Sequence, residues 1–362
     1  MTKRVYNFNP GPSTLPLEVL NKLQVDLLNF KNTGMSIMEI SHRSPEYDKV
    51  HNDAIALTKE LMGLDDSYKV LFVGGGASTQ FAYIPMNFLP KGKVGAYVDT
   101  GTWSTKAIKE AKILGKDVHL AGSSKDGGFT FIPVAEDINF PNDAAYLHIT
   151  TNNTIKGTQY HYLPETGNVP LIADMSSDIL SHQIDFSKFS MIYAGAQKNL
   201  GPSGVTMIVM KESMLDNIED GIPSMIDYRT HATKNSLFNT APTLPIYIVK
   251  LVLEWIKDQG GLSAVETINS AKKDIIYGLL DENLDYFRAP VREDSRSWMN
   301  LVFRLPSEEL EQKMIAEAKT AGFIGLKGHR SVGGIRVSLY NAMTLEGAEK
   351  VGDFIMNFRK NN

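Results

Sequence analysis

From about residue 60 to 210 the chain alternates short apolar runs with helical patterns. That is how a parallel sheet covered by helices is written in sequence. Seven runs are predicted as strands: Lys69–Val73, Val94–Val98, Val118–Ala121, Tyr146–Ile149, Pro170–Ala173, Met191–Ala194 and Val205–Met210. Between them, Thr79–Leu89 and Ser104–Leu114 carry helical spacing, with Thr102 or Ser104 as the expected cap of the second. Ligands of such sheets gather at the carboxyl ends of the strands, so the residues just after each run are where chemistry is to be sought.

The C-terminal third changes character. Ile246–Asp258, Leu262–Asp281 and Ser307–Ala321 read as helices, Trp298–Leu305 and Gly334–Leu339 as strands. Fewer, separated strands among packed helices suggest a smaller α+β unit. A chain of 362 residues exceeds what one core usually organises. The expected organisation is a large α/β domain over 16–260, and a small domain made of 1–15 and 261–362.

Lys198 lies in Gly195-Ala196-Gln197-Lys198-Asn199-Leu200-Gly201, between two predicted strands, and the preceding run Val169–Ala173 ends in Asp174. An acid at one strand end and a lysine after the next would face one cleft. Pyridoxal phosphate needs that pair, since its aldehyde forms a Schiff base with a lysine and its ring nitrogen needs a carboxylate to stay protonated. Either residue alone is by default a solvated charge.

Other strand ends carry matching candidates. Gly74-Gly75-Gly76-Ala77-Ser78-Thr79 follows the first strand and opens a helix, where free amides and the positive helix end suit a phosphate. Taken singly, such a cluster is equally well a plain turn, and its spacing fits neither a P-loop nor a dinucleotide fingerprint. Trp103 follows Val94–Val98, as a ring to stack on a pyridine or as an aromatic packed between helix and sheet. Thr151-Asn152-Asn153-Thr154 follows Tyr146–Ile149 as a polar turn with hydroxyls. Two His-Arg pairs, His42-Arg43 and His329-Arg330, together with Arg336, suit a small substrate with two or three negative charges, provided that they converge.

Composition excludes several alternatives. With 37 Lys and Arg against 41 Asp and Glu and no long run of one sign, nothing recruits nucleic acid. The absence of cysteine removes disulfides, thiolate metal sites and cysteine nucleophiles, and no metal is expected. The start, Met1-Thr2-Lys3-Arg4-Val5, is followed by no apolar segment of signal-peptide length, and no stretch suits a bilayer, so a cytoplasmic protein without a membrane partner is expected.

Together these residues resemble the phosphoserine aminotransferase family, among the fold-type I pyridoxal-phosphate enzymes. The likeness is carried along the whole chain by Asn7-Phe8-Asn9-Pro10-Gly11-Pro12, Glu39-Ile40-Ser41-His42-Arg43-Ser44, the Lys198 segment and Gly328-His329-Arg330-Ser331-Val332-Gly333-Gly334-Ile335-Arg336. The resemblance implies that Lys198 holds the cofactor covalently, Asp174 pairs with its ring nitrogen and Trp103 stacks on it. It places Thr154 at the ring hydroxyl, and Gly76, Ala77, Ser78 and Gln197 around the phosphate. It further implies a homodimer in which Asn239 and Thr240 complete the neighbouring subunit's phosphate site. Arg336 would take the substrate α-carboxylate, and His42, Arg43, His329 and Arg330 the side-chain phosphate or the glutamate γ-carboxylate. Some relatives carry an arginine where this chain has Ser78, and some a serine where it has Pro10.

The reaction so implied converts 3-phosphohydroxypyruvate and glutamate into O-phospho-L-serine and 2-oxoglutarate, in serine biosynthesis. Action on the phosphohydroxythreonine intermediate of pyridoxine biosynthesis is an extension of it. Lys198 has to shed its proton to carry another, so its pKa is expected to be lowered by the cationic Schiff-base system and partial burial. An alanine-glyoxylate or serine-pyruvate aminotransferase is the nearest alternative, and would leave the two His-Arg pairs superfluous. A cysteine desulfurase lacks its cysteine. A cofactor-binding protein without turnover would ignore amino donors.

Overall fold

The computed structural model describes residues 4–362. Met1–Lys3, at the head of the segment assigned above to the small domain, lie outside the described residues. All seven predicted strands form, as Tyr68–Gly74, Gly95–Asp99, Val118–Ser123, Tyr146–Thr150, Leu171–Asp174, Met191–Gly195 and Val205–Lys211. They join one sheet. Starting from Tyr68–Gly74, the order runs through Val205–Lys211, Met191–Gly195, Leu171–Asp174, Tyr146–Thr150 and Gly95–Asp99 to Val118–Ser123. Val205–Lys211 is antiparallel to both of its neighbours, while the five strands from Met191–Gly195 outward are mutually parallel.

Because one antiparallel strand separates them, Tyr68–Gly74 and Met191–Gly195 point the same way. The carboxyl ends of six strands therefore share one edge of the sheet. Val205 pairs with Gly74 there, so the loop carrying Lys198 returns to that edge as well.

Alternation along each strand divides the packing between the two faces. Val70, Phe72, Val98, Ile149, Ala173, Ile192 and Val209 face one core, with the helices Pro45–Met62 and Thr243–Asp258 over it. Leu71, Tyr97, Tyr146, Ile172, Tyr193 and Ile208 face the other, with Phe81, Ile84, Ala107 and Ala111 of the helices Ala77–Phe88 and Thr102–Ile113. A third core gathers Phe8, Ile276, Leu301, Met314, Val337 and Ile355. It lies among the helices Gly261–Asp281, Glu308–Thr320 and Leu345–Asn361 and the paired strands Asn300–Phe303 and Ile335–Ser338.

One local expectation fails. Neither Thr102 nor Ser104 caps the helix Thr102–Ile113: Gly101 takes the cap position, and Ser104 reaches back from the first turn. The Ser104 hydroxyl accepts from the amides of Thr100 and Gly101, each at 2.9 Å, and donates to Asp99 at 3.0 Å. The first turn thereby fills from inside the helix the role usually taken by a cap side chain.

The N-terminal strand Tyr6–Asn7 pairs in parallel with Phe323–Ile324, tying the start of the chain to its C-terminal third. Gly325 makes that approach possible. Its φ is +90°, and a Cβ there would meet Asn9 N at 2.5 Å and Asn9 Cα at 2.8 Å. Gly325→Ala is expected to cost about 1–3 kcal/mol of stability, combining left-handed strain with a backbone clash. Thermal or denaturant unfolding checks this, and a variant as stable as the parent would show that the junction yields freely.

Candidate active site

The edge of carboxyl ends becomes a cleft because each loop there is braced by its neighbour. Lys198 Nζ donates to Thr154 Oγ1 at 2.7 Å, across 44 residues of sequence, and stands 5.2 Å from the centre of the Trp103 ring. Thr154 belongs to the turn after Tyr146–Thr150. Asn153 fastens that turn to the loop before Trp103, donating to Thr100 Oγ1 at 3.0 Å and Thr158 Oγ1 at 3.1 Å. Arg336 arrives from the C-terminal third, and its Nη1 donates to the Thr154 carbonyl at 3.3 Å.

Asp174 ends its strand buried, with Oδ1 accepting from the amide of Ser176 at 2.9 Å and from its hydroxyl at 2.6 Å. Its strand pairs with Met191–Gly195, which leads into the Lys198 loop. Asp178 shares this pocket. It accepts from Thr151 Oγ1 at 2.6 Å, and burial, reinforced by Asp174, pushes its carboxyl up to about 7 while Thr151 and Lys198 oppose the shift.

Burial is also the chief influence on Lys198, whose ammonium is enclosed although its side chain keeps some solvent access. It lowers the pKa to about 8, with Asp174 and Asp178 opposing and Arg336 assisting. The depression expected from sequence thus arises within the chain itself, from burial and a guanidinium.

The glycine loop supplies an anion cradle. Gly75 and Gly76 have φ of +109° and +130°, and no side chain caps the helix that starts at Ala77. The Thr79 amide donates to the Gly76 carbonyl at 3.1 Å, and the amides of Ala77 and Ser78 are left to an incoming acceptor. Gln197 closes over the same spot: a Cβ on Gly195 would meet Gln197 Oε1 at 2.8 Å and Ala77 N at 3.3 Å.

The N-terminal motif braces the lysine loop from behind. Ser13 donates its amide to the Gln197 carbonyl at 3.0 Å and its hydroxyl to the Lys198 carbonyl, while Tyr340 Oη donates to the Pro10 carbonyl at 2.7 Å.

Of the proposed cations, His329, Arg330 and Arg336 come together. Desolvation lowers the His329 pKa first, and the charges of Arg336, Arg330 and Lys106 lower it further. The Ser331 amide donates to His329 Nδ1 at 3.2 Å, which leaves the proton of the neutral ring on Nε2, free to donate. His42 and Arg43 precede the helix Pro45–Met62. Among the described residues no hydrogen bond or ion pair ties them to this cluster, although His42 Nε2 is buried without a partner. Asn239 and Thr240 are exposed and line a hollow of about 440 Å³ beside Gly74, Gly75 and Thr79.

Sequence reading passed over Lys106, Asp178 and Tyr340. Lys106 was findable, because three residues beyond Trp103 in a helix puts it on the same face. Nothing in the sequence marks Asp178 as buried, and the position of Tyr340 against Pro10 spans 330 residues and left no local trace.

Fold and cleft together define an aminotransferase of the pyridoxal-phosphate fold-type I class. The family model described as Aminotransferase class-V matches residues 5–351. A phosphoserine aminotransferase of Geobacillus kaustophilus (strain HTA426) is 53% identical over 358 residues, covering 99% of each chain. The solved phosphoserine aminotransferase from Bacillus circulans subsp. alkalophilus superposes with a TM-score of 0.97 at 49% identity, over 99% of each chain. A pyridoxal-phosphate-bound phosphoserine aminotransferase from Trichomonas vaginalis gives 0.92 at 34% identity, over 98% of this chain and all of the other. The chain belongs to the class-V aminotransferases and, within them, to the phosphoserine aminotransferase family.

The lowered lysine gives a direct test. In cofactor-free protein, acylation of Lys198 followed by peptide mass spectrometry is expected to rise with a midpoint near pH 8. Below that pH the amine holds its proton and is inert; above it the free base reacts. Exposed lysines need about two pH units more, and a Lys198 midpoint among theirs would refute the assignment of a depressed pKa.

Proposed function

We propose that the chain moves an amino group between glutamate and 3-phosphohydroxypyruvate, giving O-phospho-L-serine and 2-oxoglutarate. The observation carrying this reading is the enclosed Lys198 over Trp103, together with the converging basic groups His329, Arg330 and Arg336.

Pyridoxal phosphate fits the residues present. Uncapped amides at Ala77 and Ser78, with Gly76 and Gln197, would hold its phosphate; Trp103 offers a ring face, Asp174 a carboxylate and Thr154 a hydroxyl. When bound, the group supplies an electron sink for the bond that breaks at the substrate α-carbon. Asn239 and Thr240 are assigned to the neighbouring subunit's phosphate site, which makes the working unit a homodimer. Their exposure within one chain supports that role.

Lys198 does two things in this scheme. It tethers the cofactor, and once displaced its neutral Nζ accepts the α-proton of the donor amino acid. In the second half-reaction it delivers a proton to the α-carbon of the product. Arg336, buried and with Nε unpartnered, takes the α-carboxylate and fixes which bond faces Lys198. His329 and Arg330, with His42 and Arg43, receive the distal phosphate or the γ-carboxylate.

The large domain 16–260 carries the cofactor residues, and the small domain, 1–15 with 261–362, carries His329, Arg330 and Arg336. Separate apolar cores support this division. We assign the protein to the cytoplasm; among the described residues no helix is long and apolar enough to cross a membrane. Phosphohydroxythreonine, with the same distal phosphate, is a further substrate under this reading.

Titration of the holoenzyme with phosphoserine, with serine and alanine as controls, is expected to remove the cofactor's visible absorption band with phosphoserine alone. An equal response to all three donors would favour an alanine- or serine-type aminotransferase. Lys198→Ala is expected to abolish turnover while the fold persists by circular dichroism, and single-turnover rates near wild type would overturn its role. Asp174→Ala is expected to weaken cofactor retention and lower kcat. Mixing Lys198→Ala chains with Asn239→Ala/Thr240→Ala chains is expected to regain activity, because one site of the mixed dimer keeps every group; no recovery would refute the cross-subunit assignment.

A further inference from the structure

Lys106 has no part in the assignments above, yet its surroundings give it one. It follows Trp103 by three residues on the helix Thr102–Ile113, which places both side chains on one face. Its Nζ stands 4.6 Å from the centre of the Trp103 ring, the same ring that Lys198 Nζ approaches to 5.2 Å. The side chain is exposed, and none of the ion pairs among the described residues involves it. Its charge is felt at His329 together with those of Arg330 and Arg336.

Four basic groups from two distant stretches of chain thus converge on one cleft. Such a cluster repels itself until an anion enters. The same cleft holds two buried donors without acceptors, Trp103 Nε1 and Arg336 Nε.

We propose that Lys106 is a specificity-determining residue of this reaction, its ammonium binding the phosphate of the phosphorylated substrate beside His329 and Arg330. The inference rests on the phosphoserine reading and deepens it by naming the cation. Lysine suits the task, since a compact charge on a flexible stem follows either the phosphate of one substrate or the γ-carboxylate of the other, which differ in reach. Contact with the indole keeps that stem over the cleft rather than out in solvent.

The test compares wild type, Lys106→Gln and Lys106→Arg as holoenzymes. Steady-state constants are taken with O-phospho-L-serine and with L-alanine, which has no distal anion, and inorganic phosphate is assayed as a competitive inhibitor. Lys106→Gln is expected to raise KM for phosphoserine about 10- to 100-fold, the value of one hydrogen bond to a charged group, with kcat within about twofold. Inhibition by inorganic phosphate weakens by a similar factor, and the constants for L-alanine stay put. Lys106→Arg keeps most of the affinity. A phosphoserine KM unmoved by Lys106→Gln, or a loss shared equally with L-alanine, overturns the proposal. Wild type is the separate check: if it does not prefer phosphoserine to L-alanine, the phosphoserine reading fails, and the role of Lys106 fails with it.

Discussion

Thr154 is gripped from two directions, and the geometry of the cleft depends on it. Its hydroxyl accepts from Lys198 at 2.7 Å, while its carbonyl accepts from Arg336 at 3.3 Å. One contact reaches it from the central sheet and the other from the C-terminal third. A single residue on one turn therefore sets the spacing between the lysine proposed to carry a proton and the guanidinium proposed to hold a carboxylate. Both contacts are hydrogen bonds with charged donors, the stronger and more directional kind.

Apolar packing alone would not hold that spacing, because it is strong but without direction. A buried polar chain supplies the direction. Asn152 Nδ2 donates to Asn300 Oδ1 at 2.9 Å, and Asn300 Nδ2 donates to Ser338 Oγ at 3.0 Å and Tyr340 Oη at 3.3 Å. Tyr340 then donates to Pro10. Segments far apart in sequence meet in this chain, and each buried member would suffer if a neighbour moved away. The loop with His329 and Arg330 is fixed similarly, by Arg304 donating to the Val332 carbonyl at 3.1 Å and by the Gly334 amide donating to Glu311 at 3.1 Å.

Four of the seven strands were legible because five or more consecutive buried residues leave a mostly apolar run, as in Met191–Gly195. The helix start at Thr102 was misread because its capping group acts from inside the helix, and a serine looks the same in either place. Within the site, Lys198, Asp174 and the glycine loop could be read because each follows a strand, and strand ends of a parallel sheet share an edge. Convergence of His329 with Lys106 could not, since the two are separated by more than half the chain and meet only through tertiary packing. Asn239 and Thr240 are exposed, and the buried Nε2 of His42 has no partner within the single chain.

Burial and a lowered pKa do not by themselves mark a lysine for chemistry, as a second lysine in this fold demonstrates. Lys272 is wholly buried, and burial lowers its pKa further than that of Lys198, to about 7. Yet its Nζ donates to the carbonyls of Leu339, Tyr340 and Met343 at 3.0, 2.9 and 2.9 Å. Three donors meet three acceptors, so that nitrogen is spent on structure, pinning the segment that presents Tyr340 to the cleft. Lys198 makes one such bond, to a hydroxyl, and otherwise faces an aromatic ring. The difference between the structural lysine and the one proposed to react lies in the bonds left unmade. The folded chain has provided Lys198 with a burial cost and withheld the acceptors that would use up its donors.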